Sequence, residues 1–170
     1  MFKILGCILI FAGCTFAGAA KASSYKYRRR ELENIIELLR FMQMDISYRK
    51  DSLYKTFKKT AALKDCWFAE LLRICCSELA DNATIETAWS IAVNDSMAAC
   101  PLHKEDIDIL HDISLGIGKS DSQGQQNVLE PIQLRLASAL DEALMMEKKQ
   151  GRMFRSLGAS AGIIIVILVL

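Results

Sequence analysis

MFRSLGASAGIIIVILVL, from Met153 to Leu170, is the stretch whose reading decides the fold. No residue after Arg155 is charged, and the block from Ile163 onward is aliphatic with no polar face. Such a block cannot keep one side in water, so on a soluble domain it would leave a large apolar patch exposed. It therefore reads as a membrane segment, and the rest of the chain has to be arranged around it. From Leu157 it is shorter than the ~20 residues that usually cross a bilayer, so Arg155 is expected to snorkel towards the head groups.

A second apolar run, Ile4 to Ala20, lies between Lys3 and Lys21. Its length is near the lower limit for a helix crossing a ~30 Å hydrocarbon core. Three readings compete for it. An uncleaved anchor is one. A cleaved signal peptide would show the same short basic start, apolar centre and small residues Ala17, Gly18, Ala19 and Ala20. A lipoprotein signal would attach a lipid at Cys14 of Phe11-Ala12-Gly13-Cys14, although Phe11 fits the first place of that pattern poorly.

The flanking charges favour the anchor. Only Lys3 precedes the run, whereas Lys21, Lys26, Arg28, Arg29 and Arg30 follow it, and positive residues beside a span favour the cytoplasmic side. Lys148, Lys149, Arg152 and Arg155 precede the terminal run in the same sense. The expected organisation is an N-terminal transmembrane segment over 1–22, a cytoplasmic helical domain over 23–152 and a C-terminal transmembrane segment over 153–170. The basic flanks also suit contact with anionic lipid or with an acidic partner. Gly158 and Gly162 form a Gly-x-x-x-Gly pair, and Gly13 with Ala17, and Cys14 with Gly18, repeat small-xxx-small spacing. Such faces let helix backbones approach closely in lipid, so the two anchors are expected to touch; glycine is also simply common in membrane helices.

Between the anchors, apolar residues step by three and four. Leu32, Ile35, Leu39, Met42 and Ile46 form a helical seam, broadened by Ile36, Leu38 and Phe41, that continues from the first anchor without a breaker. Asp51 or Ser52 is expected to cap a short helix carrying Leu53, Phe57 and Ala61. Asp65 opens the next, with Phe68, Leu71, Leu72, Cys75 and Leu79 inward and a stop at Asp81-Asn82. Thr84 caps a helix with Glu86 in its first turn and Trp89 as a core anchor. After Pro101, Ile107, Leu110, Ile113 and Ile117 define a fifth helix. Asp121 caps the last one, along which Leu129, Ile132, Leu136, Ala139, Ala143 and Met146 recur; Pro131 either bends it or starts a new helix. No period-two alternation appears. The fold class is all-α: a bundle of about six helices between two transmembrane helices.

Chemistry is harder to find. The net charge of +1 gives no support for nucleic-acid binding by phosphate neutralisation. Six cysteines lack the spacing of a zinc knuckle or a redox dithiol and read as reduced apolar residues. Gly118-Lys119-Ser120 resembles the close of a phosphate-binding loop, but Ile113 stands where the earlier glycine belongs and a helix precedes it. His103 and His111, with Asp106, Asp108 and Asp112, lack a third convincing ligand and read as a solvated helix face. No catalytic, cofactor-binding or metal-binding residue is expected.

Several features standing in order resemble the stage III sporulation protein AB family of endospore-forming Firmicutes along nearly the full length. They are the apolar start Met1 to Gly18; the Arg-rich segment leading to Asp45-Ile46-Ser47-Tyr48 and then Ser52-Leu53; Thr84-Ile85-Glu86-Thr87-Ala88-Trp89; Ile117-Gly118-Lys119-Ser120-Asp121 with Gln125-Gln126; and Arg152-Met153-Phe154-Arg155-Ser156-Leu157-Gly158. The resemblance implies a protein of the mother-cell membrane in the assembly linking mother cell and forespore. It also implies a cytoplasmic domain similar to the platform protein of type II secretion and type IV pilus machines. The implied partners are a secretion-type ATPase, other membrane components of the complex and the lipid bilayer, with no cofactor and no nucleic acid. From another class, the residues also admit an exported or lipid-anchored helical protein tethered by its apolar tail.

Overall fold

The computed structural model describes residues 2–49, 52–117 and 122–169. Its helices, in chain order, are α1 (Phe2–Arg49), α2 (Leu53–Ala61), α3 (Trp67–Ala80), α4 (Ile85–Ser96), α5 (Lys104–Ile117) and α6 (Ser122–Val169), with a 3-10 turn at Met97–Ala99 after α4. Among the described residues there is no strand, and the chain is all-α. It forms two compact units: Met1–Arg29 with Asp141–Leu170, and Arg30–Leu140. The first unit thus keeps most of the basic flanks together with the apolar runs, rather than leaving them with the helical domain.

In the Arg30–Leu140 unit the α1 seam is the floor of the core. Leu32, Ile35, Leu39, Met42 and Ile46 are all buried, as are Ile36 and Leu38. Over them close Phe57, Phe68, Leu71, Leu72, Trp89, Leu110, Ile113, Leu129, Ile132 and Leu136, which together draw on α2 to α6. Each such side chain removed from water stabilises the fold by about 1.5–3 kcal/mol before entropy is counted. Trp89 sits between two rings, with centroids 6.3 Å from both Phe57 and Phe68 and an edge-on approach to the latter.

Helix ends follow the sequence in part: Ser52 is the extended residue that precedes α2, but it makes no side-chain cap bond. Thr84 caps α4, its Oγ1 accepting the Thr87 N–H at 3.2 Å. Asn82 stops α3 by adopting a left-handed φ of 64°. The Ala83 and Asn82 N–H groups then donate to the Glu78 and Leu79 carbonyls, which is the Schellman pattern. Asp65, however, does not open α3: Cys66 is the flanking extended residue and makes no side-chain cap bond. Asp65 is almost fully exposed and lies 3.6 Å from Arg73. The donor at the start of α3 is satisfied from α1, where buried Glu31 accepts the Phe68 N–H at 2.8 Å. Pro131 lies inside α6, so no new helix starts there. Asp51 and Asp121 fall outside the described residues.

Candidate functional site

In the unit built from Met1–Arg29 and Asp141–Leu170, glycine sets how closely the helices approach. A methyl group on Gly18 would come within 2.6 Å of the Phe154 carbonyl oxygen and 3.0 Å of the Gly158 Cα. One on Gly158 would meet the Cys14 carbonyl oxygen at 2.8 Å and the Gly18 Cα at 3.1 Å. The two backbones therefore touch where both helices carry glycine. Gly162 faces the Phe11 ring and the Cys14 Cβ. Gly13 has open space around its Cα and Ala17 is exposed, so of the two small-residue pairs in α1 it is Cys14 and Gly18 that lie at the contact, not Gly13 and Ala17. Below it, the Tyr25 and Phe154 rings stack with centroids 6.1 Å apart, and the Lys21 ammonium stands 6.0 Å from the Tyr25 ring.

The basic residues divide into two sets. Arg28 is buried: one guanidinium nitrogen lies 3.6 Å from Glu142 and another 3.6 Å from the Met146 sulfur. Arg29 donates from Nε to Glu147 at 2.6 Å. These two cations tie α1 to α6 inside the unit, a structural role that their place in a run of positive charge does not reveal. Lys21, Lys26, Arg30, Lys148, Lys149, Arg152 and Arg155 are exposed. A groove of about 350 Å³ is lined by Ala22, Leu144, Gly151 and Glu147 together with the cations Arg29, Lys148, Arg152 and Arg155.

In the Arg30–Leu140 unit the titratable groups serve the fold. Asp45 is buried, accepting from Thr56 Oγ1 at 3.1 Å with Lys59 at 3.5 Å, which fastens α2 to α1. Asp106 is also buried and accepts the His103 N–H at 3.0 Å, half of a capping box at the start of α5. Asp112 pairs with Arg135. Those bonds account for two of the three aspartates in the His–Asp cluster, and no group of three metal-ligating side chains occurs among the described residues. Gly118-Lys119-Ser120 lies outside them. A groove of about 300 Å³ between α2 and α3 is bridged by Arg73, which donates to Glu70 at 2.6 Å and to the Ala61 carbonyl at 3.3 Å. A smaller one, about 200 Å³, is lined by Phe41, Met44, Asp45 and Tyr48.

All six cysteines are free. Burial, followed by the neighbouring Cys76 and Glu78, pushes the Cys75 thiol up to about 12 from its ordinary 9.0. Burial likewise raises Cys66, Cys76 and Cys100. A thiol so raised stays protonated at neutral pH and is a poor nucleophile. Cys75 is expected to resist iodoacetamide at pH 8 in the folded protein and to react fully in denaturant, measured by peptide mass. Because the unfolded chain ionises near 9.0 while the folded chain holds the proton to about 12, this thiol should lower stability as pH rises between those values.

Among the described residues one helix, α1, is long and apolar enough to cross a membrane, and only 11% of its apolar window is buried, unlike the core helix of a soluble protein. The molecule is thus an all-helical protein with a candidate membrane span in its N-terminal helix and a helical unit with its own core. Its family follows from comparison: the family model described as stage III sporulation protein AB matches residues 3–170, and the chain belongs to that family of sporulation proteins. It is 22% identical to stage III sporulation protein AB of Bacillus subtilis (strain 168) over 171 residues, covering 100% of both chains. A solved structure of a stage III sporulation protein AB superposes with a TM-score of 0.67 at 17% identity, covering 72% of this chain and 98% of that one, which shows the common fold.

Proposed function

We propose that this protein is a non-enzymatic membrane platform of the sporulation-specific secretion complex between mother cell and forespore. Its Arg30–Leu140 unit stands on the cytoplasmic side and receives a secretion-type ATPase, and its two apolar ends anchor it in the mother-cell membrane beside other components of the complex. The observation that carries this reading is that α1 and α6 each run for 48 residues and contribute to both units. Each is longer than the ~20 residues that cross a bilayer, so the helices that would supply the anchors also supply part of the helical unit.

Within the helical unit, Tyr48 is 85% exposed and Met44 61% exposed, beside Phe41 on one face of α1. Clustered large apolar side chains in water mark contact surfaces, and a partner is expected to cover these. The test is co-purification from membranes of the full-length chain with the secretion-type ATPase made in the same cells. Tyr48→Asp is expected to reduce recovered ATPase at least tenfold while melting stays unchanged, a loss typical of a central interface residue. Failure of the unaltered chain to retain the ATPase would count against the platform reading.

A further inference from the structure

We propose that the groove around Gly151 is a binding site for a phosphate-bearing anion, and that its occupant in the cell is the head group of an acidic phospholipid. The inference rests on the reading that the apolar ends lie in a bilayer, and it adds a discrete site to what would otherwise be diffuse attraction. Two of the residues lining the groove are small and buried: Ala22 is 2% exposed, Gly151 is buried, and a Cβ added at Gly151 would meet nothing within 4 Å. Space therefore exists where a larger residue would ordinarily fill the gap between two helices.

Four of the eight lining residues are cationic. Arg29, Lys148, Arg152 and Arg155 line the groove, and Glu147, the one acidic residue that does so, is already held by Arg29 at 2.6 Å. On α6 the positions 148, 152 and 155 follow the i, i+4, i+7 spacing of a single helix face. Like charges so placed disfavour the helix, and among the described residues Lys148, Arg152 and Arg155 form no ion pair that offsets this. Arg28 and Arg29, in contrast, have Glu142 and Glu147. An anion bound from outside supplies the missing partner, and guanidinium groups match phosphate oxygens in geometry as well as charge.

Position selects the lipid source. Ala22 lies two residues after Ala20, the end of the first apolar run, and Arg155 two residues before Leu157, the start of the second. At a rise of about 1.5 Å per residue, both belong to the head-group layer of a bilayer that holds the runs.

The experiment uses the full-length chain in vesicles of phosphatidylcholine alone or mixed with phosphatidylglycerol, with lipid retained on the detergent-extracted protein identified by native mass spectrometry. The expected result is selective retention of phosphatidylglycerol. It should fall about thirtyfold in Lys148→Gln/Arg152→Gln, each cation near a charged surface contributing roughly fivefold. Gly151→Leu, which fills the space without changing charge and suits a helix better than glycine, is expected to abolish retention. Lys26→Gln/Lys149→Gln removes two exposed cations outside the groove and should reduce retention far less than Lys148→Gln/Arg152→Gln does. Equal loss in both double variants, with none in Gly151→Leu, would overturn the site in favour of diffuse charge. Displacement of the lipid by millimolar inorganic phosphate would overturn the assignment to lipid. Carbonate washing of the vesicles keeps the premise separate: protein released by the wash refutes membrane insertion itself, whereas protein that stays in the pellet without lipid preference refutes only the site.

Discussion

Trp89→Ala is expected to destabilise the Arg30–Leu140 unit by about 3–5 kcal/mol, the range for deleting a large buried aromatic side chain. Trp89 is fully buried and bridges Phe57 on α2 and Phe68 on α3, so its removal leaves a cavity bounded by three helices that cannot all close on it. The loss is comparable to much of the stability of an ordinary domain, and most molecules should be partly unfolded at 37 °C. Trp89→Phe separates packing from polarity. The indole Nε1 is buried and has no hydrogen-bond partner among the described residues, which costs the native fold about 1–3 kcal/mol. Phenylalanine removes that donor while keeping a ring between its neighbours, so its cost should be well under half that of alanine. Urea unfolding of the full-length protein in detergent, followed by circular dichroism, gives both values. Equal losses for the two variants would mean that the ring contacts are not what holds the core.

Gly18→Leu is expected to force α1 and α6 apart where their backbones now meet. The obstruction is the Phe154 carbonyl oxygen, 2.6 Å from the would-be Cβ, and backbone cannot turn aside as a side chain can. Overpacking typically costs about 1–3 kcal/mol, enough to lower the equilibrium constant for close packing about fivefold to a hundredfold or more. Gly158→Leu should act alike, against the Cys14 carbonyl. Gly162→Leu should be milder because a Phe11 ring can move, and Gly13→Leu should do nothing because its surroundings are open. The readout is disulfide formation in membranes between cysteines placed at Tyr25 and Phe154, whose rings stack at 6.1 Å, with the natural cysteines replaced by alanine. Cross-linking lost in Gly13→Leu as readily as in Gly18→Leu would refute the contact.

These residues also mark how far the sequence could be read. The α1 seam, the Thr84 cap and the Asn82 stop were legible because each depends on neighbours within a turn or two. The start of α3 was not, since its donor is satisfied by Glu31, 37 positions away. The choice between Gly13 with Ala17 and Cys14 with Gly18 was equally closed to sequence. Both pairs have the same spacing and lie one residue apart, roughly 100° around the helix, so only the direction of the partner helix distinguishes them. Arg28 and Arg29 stood in a basic run and read as topology signals. Their assignment as ties to Glu142 and Glu147 required knowing that the two ends of the chain lie side by side. The small residues of the groove were silent for a related reason: Ala22 and Gly151 are conspicuous only through what surrounds them.

The central claim is that an uncleaved first anchor holds the Arg30–Leu140 unit on the cytoplasmic side of the membrane. Fusions made after residue 100, one carrying a reporter active only in the cytoplasm and the other a reporter active only after export, test it most directly. The expected result is activity of the cytoplasmic reporter in the membrane fraction and silence of the exported one. Activity of the export reporter alone would contradict the claim and leave an exported or lipid-anchored helical protein in its place.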